Sequence, residues 1–284
     1  MKFGVHVSAA GGLLNAPQNA KNLGCETYQF FSRSPRGGKP KPIDKRIADQ
    51  FKFKNKELGF DSYYIHTPYY INFASGNRRI AKGSVEVVRQ ELERGDLLGV
   101  TATMTHLGSA KDMTIKQAIK QTAYGIIKVL KNYQGKNRFL IEIAAGSGQI
   151  IGSNFEEIAE IINLAEKEIK HHKIGVCFDT AHAFASGYDL RNKEQVKKTF
   201  RKFDQTVGLD RLVVMHVNDS KIGLGEKKDR HENIGKGKIG KNAFAAILAY
   251  KKFQNLDFIL ETPWITETAV KKDLQILKDL RLNL

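Results

Sequence analysis

Nine histidine, aspartate and glutamate residues are spaced along the chain as the metal ligands of an enzyme would be. Six of them stand at the ends of short apolar runs: His66, His106, Glu142, Asp179, His216 and Glu261. One histidine in such a position is more often a structural residue, but six runs that end in this way indicate a shared site. Three further candidates follow soon after two of these runs: His182, Asp229 and His231.

The apolar runs that carry these residues have the composition of β-strands. Eight runs are rich in Val, Ile, Phe and Tyr, and we predict strands at 3–8, 27–32, 62–67, 101–107, 138–143, 174–180, 211–218 and 257–262. Helical periodicity fills the segments between them, as after Thr114, a predicted helix N-cap. Alternating strands and helices pair in parallel, and eight such units close into a (β/α)8 TIM barrel. A doubly wound open sheet is the alternative, which the count of eight disfavours.

We expect residues 1–284 to form a single barrel domain, because no linker or low-complexity stretch divides the chain. Three long loops, 32–42, 66–79 and 218–240, follow the second, third and seventh predicted strands. Loops after the strands of a TIM barrel surround the face that holds the active site. The six residues at strand ends are therefore expected to meet in one mouth of the barrel.

Carboxylates that crowd into a half-buried mouth repel one another unless cations lie between them. The set holds five His, two Asp and two Glu, and imidazole with carboxylate suits zinc, manganese or iron. Nine ligands are too many for one ion, whereas three ions that share one carboxylate fit the count. Two ions about 4 Å apart can activate a water and hold the oxygens of a phosphoryl displacement.

The charge of the chain favours a polyanionic partner such as DNA, RNA or acidic lipid. The sequence has 46 Lys and Arg against 30 Asp and Glu, a formal net charge of +16. A basic proteome with solvated lysines would give the same charge balance.

Two cysteines, Cys25 and Cys177, do not indicate a disulfide framework. Without a signal peptide or an apolar run near the roughly 18 residues of a membrane helix, we expect a cytoplasmic protein with no membrane segment.

Longer segments of the sequence closely resemble the endonuclease IV family of apurinic/apyrimidinic (AP) endonucleases. The most specific of them are HTPYYINFAS (66–75), GVCFDTAHAFASGYD (175–189), MHVNDSK (215–221) and DRHENIGKGKIG (229–240). The resemblance runs from KFGVHVSAAGGL at the start to FILETPW near the end. It implies a TIM barrel that binds three zinc ions per chain, with Mn²⁺ or Fe²⁺ as alternatives at some sites.

The resemblance also implies how the nine residues share the three ions. The first ion would be held by His66, His106 and Glu142. The second would be held by Glu142, Asp179, His216 and Glu261. The third would be held by His182, Asp229 and His231. Glu142 would thus bridge two ions and support the attacking hydroxide, which makes it the predicted catalytic residue.

The implied reaction is hydrolysis of the phosphodiester on the 5′ side of an abasic site in double-stranded DNA. The products would carry 3′-hydroxyl and 5′-deoxyribose phosphate ends, and the same chemistry would trim blocked 3′ ends. The family bends DNA and inserts side chains where the base is missing, and Arg36, Tyr69 and Tyr70 occupy the matching loops. Lys221 and Arg230 are candidate phosphate contacts. By the same resemblance we expect a monomer.

The sequence departs from the family pattern in two places. Tyr70 stands where an aliphatic residue is usual, and Ile143 stands where asparagine is frequent. The loop that follows Glu142 also has an unusual spacing, so we assign no DNA contact to residues 147–149.

Two other functions are compatible with parts of this pattern. A sugar isomerase or epimerase shares the barrel and the metal ligands but needs one or two ions, which would leave His182, Asp229 and His231 idle. A non-catalytic binder of damaged DNA would use the positive charge but would not require nine metal ligands. Metal content near three per chain excludes the first alternative, and cleavage of an abasic duplex excludes the second.

Overall fold

The computed structural model describes residues 1–283, and its centre is a closed barrel of eight parallel strands. In chain order the strands are β1 (Lys2–Val7), β2 (Thr27–Phe30), β3 (Tyr63–His66), β4 (Ala102–Thr105), β5 (Arg138–Glu142), β6 (Gly175–Asp179), β7 (Leu212–His216), β8 (Asp219–Ser220), β9 (His231–Glu232) and β10 (Asp257–Leu260). The short strands β8 and β9 form a separate antiparallel hairpin. The other eight form the barrel, which closes where β1 pairs with both β2 and β10.

Helices connect the strands and cover the outside of the barrel. They are α1 (Asn15–Leu23), α2 (Lys45–Leu58), α3 (Arg78–Leu98), α4 (Ile115–Leu130), α5 (Phe155–Glu166), α6 (Thr180–Ala185), α7 (Lys193–Thr206), α8 (Lys241–Leu248) and α9 (Glu267–Leu282). Thr114 caps α4 as predicted, and Gln117 completes a reciprocal capping box. Within residues 1–283, no helix has both the length and the apolar character needed to cross a membrane.

Two apolar clusters hold the barrel together. The larger lies between strands and helices and includes the buried rings of Phe30, Phe178 and Phe258. The smaller fills the barrel interior and consists of Tyr64, Ala102, Met104, Leu140, Cys177, Val214 and Ile259. Where β1 meets β2 there is no room for a side chain at Gly4, since a Cβ there would lie 1.9 Å from the carbonyl oxygen of Thr27.

The predicted fold is confirmed, with small changes at the strand ends. Each predicted strand forms, and the boundaries differ by one or two residues where the chain turns into the loops over the mouth. As a result His106 and Glu261 lie one residue beyond β4 and β10. The β8–β9 hairpin within loop 218–240 was not predicted, because its two-residue strands are polar and form no apolar run.

Candidate metal centre

Glu142, at the end of β5, lies fully buried at the centre of the polar cluster in the barrel mouth. Its Oε2 atom is 2.9 Å from His66 Nε2 and 3.6 Å from His106 Nε2. Its Oε1 atom is 3.1 Å from His216 Nδ1 and 3.3 Å from His182 Nδ1. One carboxylate thus faces histidines from four different segments of the chain.

A second group of donors forms around His216. Its Nδ1 atom lies 3.7 Å from Asp179 Oδ2 and 3.2 Å from Glu261 Oε2, in addition to its contact with Glu142. One ligand atom from each of these four residues lies within 4.8 Å of the others. Three carboxylates and one imidazole nitrogen therefore surround one point.

The third group lies beside the hairpin. The Nε2 atoms of His182 and His231 are 3.3 Å apart, and Asp229 Oδ1 lies 3.3 Å from the first and 3.4 Å from the second. His182 comes from α6, whereas His231 comes from β9 and Asp229 from the loop before it. The antiparallel hairpin is what carries Asp229 and His231 to the barrel. Asp179 also approaches this group, with its Oδ2 atom 3.8 Å from His231 Nε2.

Hydrogen bonds to the main chain determine which nitrogen of three rings faces the cluster. The Nδ1 atoms of His66, His182 and His231 lie 2.6, 3.0 and 3.0 Å from backbone carbonyl oxygens. A carbonyl oxygen only accepts, so each Nδ1 donates a proton, and in the neutral ring Nε2 keeps the lone pair. A lone pair that faces a carboxylate needs a proton or a metal ion between the two, and this set of nitrogen and oxygen donors fits zinc.

The site electrostatics keep the carboxylates ionised. Burial raises the pKa of Glu142, but the positive charge that the surrounding histidines carry when protonated outweighs it, so this pKa lies well below its usual range. Burial likewise raises the pKa of Glu261, yet His216, when it is protonated, brings this pKa well below the usual value. For His106, burial lowers the pKa more than Glu142 raises it, which favours the neutral ring.

Cys177 lies directly below the carboxylates and is close enough to Glu142 and His216 to complete another donor group. Burial raises the pKa of this thiol to about 12. Because only the thiolate is a good ligand, Cys177 is better understood as part of the apolar interior.

Two supporting amides lie among these side chains. Asn218 donates from Nδ2 to Asp179 Oδ2 (2.6 Å), and its Oδ1 accepts from the backbone N–H of Glu261 (2.7 Å). Gln29, in β2, lies between His216 and Glu261. Gln29 was not among the predicted site residues, although a polar residue in the wholly buried strand β2 was an available signal.

The predicted lesion-binding residues lie at the rim of the mouth. Tyr69 and Tyr70 are 70% and 41% exposed, and both line a cavity of 730 Å³ that reaches the histidines of the cluster. Arg36 is exposed on the loop after β2. The next residue, Gly37, lies against the Tyr70 ring, since a Cβ on Gly37 would be 3.8 Å from Tyr70 Cε1. The two loops therefore adjoin each other.

The predicted phosphate contacts and the loop after β5 occupy another part of the rim. Lys221 and Arg230 are neighbours across the hairpin, because the N–H of Lys221 donates to the carbonyl oxygen of Arg230 at 2.9 Å. Both side chains are exposed. In the loop after β5, Ser147 Oγ donates to the carbonyl oxygen of Lys227, which fixes this loop against the segment before the hairpin's second strand.

Known proteins are similar to this chain over nearly its whole length. The family described as "Xylose isomerase-like TIM barrel" matches residues 17–280. A relative named "Probable endonuclease 4" from Aquifex aeolicus is 38% identical over 262 residues, which cover 92% of this chain and 91% of the relative. Another of the same name, from Halothermothrix orenii, is 36% identical over 281 residues and 99% of each chain.

Solved structures of known proteins are also similar to this chain over nearly its whole length. Endonuclease IV from Thermus thermophilus superimposes with a TM-score of 0.88 at 29% identity, over 100% of both chains. A D-tagatose 3-epimerase-like protein reaches a TM-score of 0.72 at 18% identity, over 99% of this chain and 97% of the other. At that identity the epimerase likeness shows the barrel fold alone.

Proposed function

The chain belongs to the endonuclease IV family within the xylose isomerase-like TIM barrels, and we propose that it hydrolyses the phosphodiester on the 5′ side of abasic sites in double-stranded DNA. Its membership confirms the family resemblance and the endonuclease class predicted from the sequence. The products would be a 3′-hydroxyl end and a 5′-deoxyribose phosphate end.

The observation that carries the proposal is the meeting of all nine predicted ligands at the barrel mouth. We assign the first ion to His66, His106 and Glu142. We assign the second to Glu142, Asp179, His216 and Glu261. We assign the third to His182, Asp229 and His231. The bridging position of Glu142 is supported by its distances to histidines of all three groups.

Zinc ions in these positions would supply an activated water and positive charge for the phosphate oxygens. The same nitrogen and oxygen donors would also accept Mn²⁺ or Fe²⁺. The protein's own residues prepare the site: Asn218 holds the Asp179 carboxylate by a hydrogen bond, and the bonded Nδ1 atoms of His66 and His182 keep their rings in one orientation. Because these groups are already ordered, little rearrangement is needed when substrate binds.

Recognition of the lesion is assigned to the rim. Tyr69 and Tyr70 expose aromatic faces beside the cavity, where they could stack on bases next to the missing one. Arg36, which is exposed on the adjoining loop, would enter the duplex with them. Lys221 and Arg230 would contact backbone phosphates, which agrees with the net charge of +16.

Cleavage of a labelled duplex with one abasic site tests the proposal. We expect one nick on the 5′ side of the site, its loss after treatment with a chelator, and its return when zinc is added. The same duplex with an undamaged nucleotide is the control and should stay intact. Binding of the abasic duplex without any nick would overturn the assignment as an enzyme.

Metal content gives a second, independent test. Three zinc ions per chain are expected after dialysis against zinc, measured by elemental analysis. A content near one ion would contradict the ligand assignment and favour the epimerase alternative.

We further propose that residues 1–284 act as a single domain, that the protein is a monomer in the cytoplasm, and that it trims blocked 3′ ends. The shared donor set supports 3′ trimming, because removal of a 3′-phosphate is also a phosphate-ester hydrolysis. Light scattering checks the monomer. A nicked duplex with a 3′-phosphate, compared with one that ends in a 3′-hydroxyl, checks the trimming.

A further inference from the structure

The side-chain amide of Gln29 joins three polar groups at the barrel mouth. Its Nε2 atom lies 2.6 Å from Glu261 Oε1 and 2.8 Å from His6 Nδ1. Its Oε1 atom lies 2.8 Å from His216 Nε2. Gln29 is 0% exposed, so these protein contacts decide how the amide is oriented.

The carboxylate of Glu261 determines which terminal atom of the Gln29 amide is the nitrogen and which is the oxygen. An ionised carboxylate only accepts hydrogen bonds, so the amide atom beside it must be the nitrogen. With the amide reversed, two acceptor oxygens would lie 2.6 Å apart in a buried site. The hydrogen-bond network therefore places the oxygen of Gln29 against His216.

The orientation of the amide in turn determines which ring nitrogen of His216 carries the proton. Since Gln29 Oε1 only accepts, Nε2 of His216 must donate to it. In the neutral ring the lone pair is then on Nδ1, the atom that faces Glu142, Asp179 and Glu261 at 3.1, 3.7 and 3.2 Å. His216 thus presents the nitrogen that the second metal site needs.

His216 differs in this respect from the other oriented histidines. His66, His182 and His231 are oriented by backbone carbonyl oxygens, which no substitution removes. His216 is oriented by a side chain, which a substitution can remove. Gln29 Nε2 also lies 2.8 Å from His6 Nδ1, which is itself 3.1 Å from Glu261 Oε1, so His6 belongs to the same polar group.

We propose that Gln29 is a positioning residue for the second metal site, where it holds His216 in the Nε2–H form and orients the Glu261 carboxylate. The inference rests on the proposed function in one respect, since it takes the second ion to be bound by His216 and Glu261. Gln29 itself supplies no ligand atom. Its effect reaches the ion only through these two side chains.

Zinc affinity of the Gln29→Leu variant tests this role without any DNA. Leucine has a similar volume but neither donates nor accepts. By competition with a chromophoric chelator, we expect one of the three ions to bind about 10- to 100-fold more weakly, and the other two to keep their affinity. Gln275→Leu, on the exposed face of α9, is the matched control and should bind all three normally. Three unchanged affinities in Gln29→Leu would overturn the proposal.

Nitrogen-15 NMR of the unmodified, zinc-loaded protein provides a measurement that does not depend on how the variant folds. The signals of His216 are identified by their absence from the spectrum of His216→Asn. We expect them to show a proton on Nε2 and zinc bound through Nδ1. A proton on Nδ1 of this ring would refute the assignment. Since both measurements omit DNA, their failure leaves the cleavage proposal intact. Failure of the wild-type protein to nick an abasic duplex would instead refute only the proposed function.

Discussion

The mouth of the barrel and the interior just below it are built on the same strands but have opposite chemistry. Six of the seven apolar residues of the interior are followed two positions later by a polar residue of the mouth, and the seventh, Ala102, is followed by Met104. The pairs are Tyr64 and His66, Met104 and His106, Leu140 and Glu142, Cys177 and Asp179, Val214 and His216, and Ile259 and Glu261. Residues two apart on a strand share a face and lie roughly 6.6 Å from each other along it.

The difference shows that a residue with a packing role and a residue with a chemical role can be only two positions apart on one strand. The interior residues fill a closed space, and their contribution is the burial of apolar surface. The mouth residues are also largely buried, but their carboxylates need histidines and cations around them. The two levels should therefore respond differently to substitution, even at neighbouring positions of one strand.

The largest expected effect is the loss of cleavage in Glu142→Gln. The amide keeps the shape of the side chain but removes the charge that two ions would share. We expect the cleavage rate to fall about 10³-fold or more, with little change in affinity for an abasic duplex. Single-turnover kinetics and fluorescence anisotropy measure the two quantities. Full cleavage activity in Glu142→Gln would show that this residue of the mouth has no chemical role, in contradiction to the proposed difference between mouth and interior.

Leu140→Ala, two residues earlier on the same face of β5, is the counterpart. Leu140 is 0% exposed, so its truncation leaves a cavity and should lower the free energy of unfolding by about 2–5 kcal/mol. Urea unfolding measures the change, and cleavage per folded molecule should stay close to that of the wild type. Loss of activity without loss of stability would show that the interior also contributes to the chemistry.

Tyr69→Ala extends the comparison to the rim, where side chains are exposed rather than buried. If Tyr69 stacks on a base beside the lesion, its removal should weaken binding of the abasic duplex by about 1–3 kcal/mol. Tyr124→Ala on α4, whose ring is 57% exposed, is the matched control. Trp264, the single tryptophan of the sequence, lines the same cavity, so its fluorescence can follow binding. Equal affinities for the two variants would contradict the role of Tyr69.

The smallest effect is expected at the opposite end of the barrel. Burial raises the pKa of Glu26, but the hydrogen bonds from Arg281 and from the N–H of Phe3 lower it by more than burial raises it. The pKa of Glu26 therefore lies below its usual 4.5. A depressed folded pKa stabilises the protein above the unfolded value, and this contribution is lost as the pH falls through the folded value. The pair is partly exposed and screened, so we expect it to contribute about 1 kcal/mol or less.

Glu26→Gln tests this small term. The variant should be slightly less stable than the wild type at neutral pH, and the difference should be smaller at an acid pH below the lowered pKa of folded Glu26. Urea unfolding at both pH values measures it, with Glu57→Gln at an exposed position of α2 as the control. A difference that grows in acid would show that the sign is wrong. Cleavage should be unaffected, because Glu26 lies before β2, at the end of the barrel away from the mouth.

The sequence alone determined much of this protein, because its main signals are local. The composition of short apolar runs predicted eight strands, and the positions of polar residues at their ends predicted the ring of ligands. The length and composition of an apolar run are local properties of the sequence, so they can be read without knowledge of the partners of a strand. For the same reason the strand ends were correct to within two residues.

Only the tertiary structure decided which atoms meet. Gln29 and His216 are separated by 187 positions, yet their side chains lie 2.8 Å apart because β2 and β7 curve round the same mouth. Asp229 reaches His182 only because the β8–β9 hairpin folds back over it. Distances of this kind depend on barrel closure, and no local pattern records that closure. The chain sequence therefore specified the ligand types, and the closed barrel specified their partners and the nitrogen that each oriented ring presents.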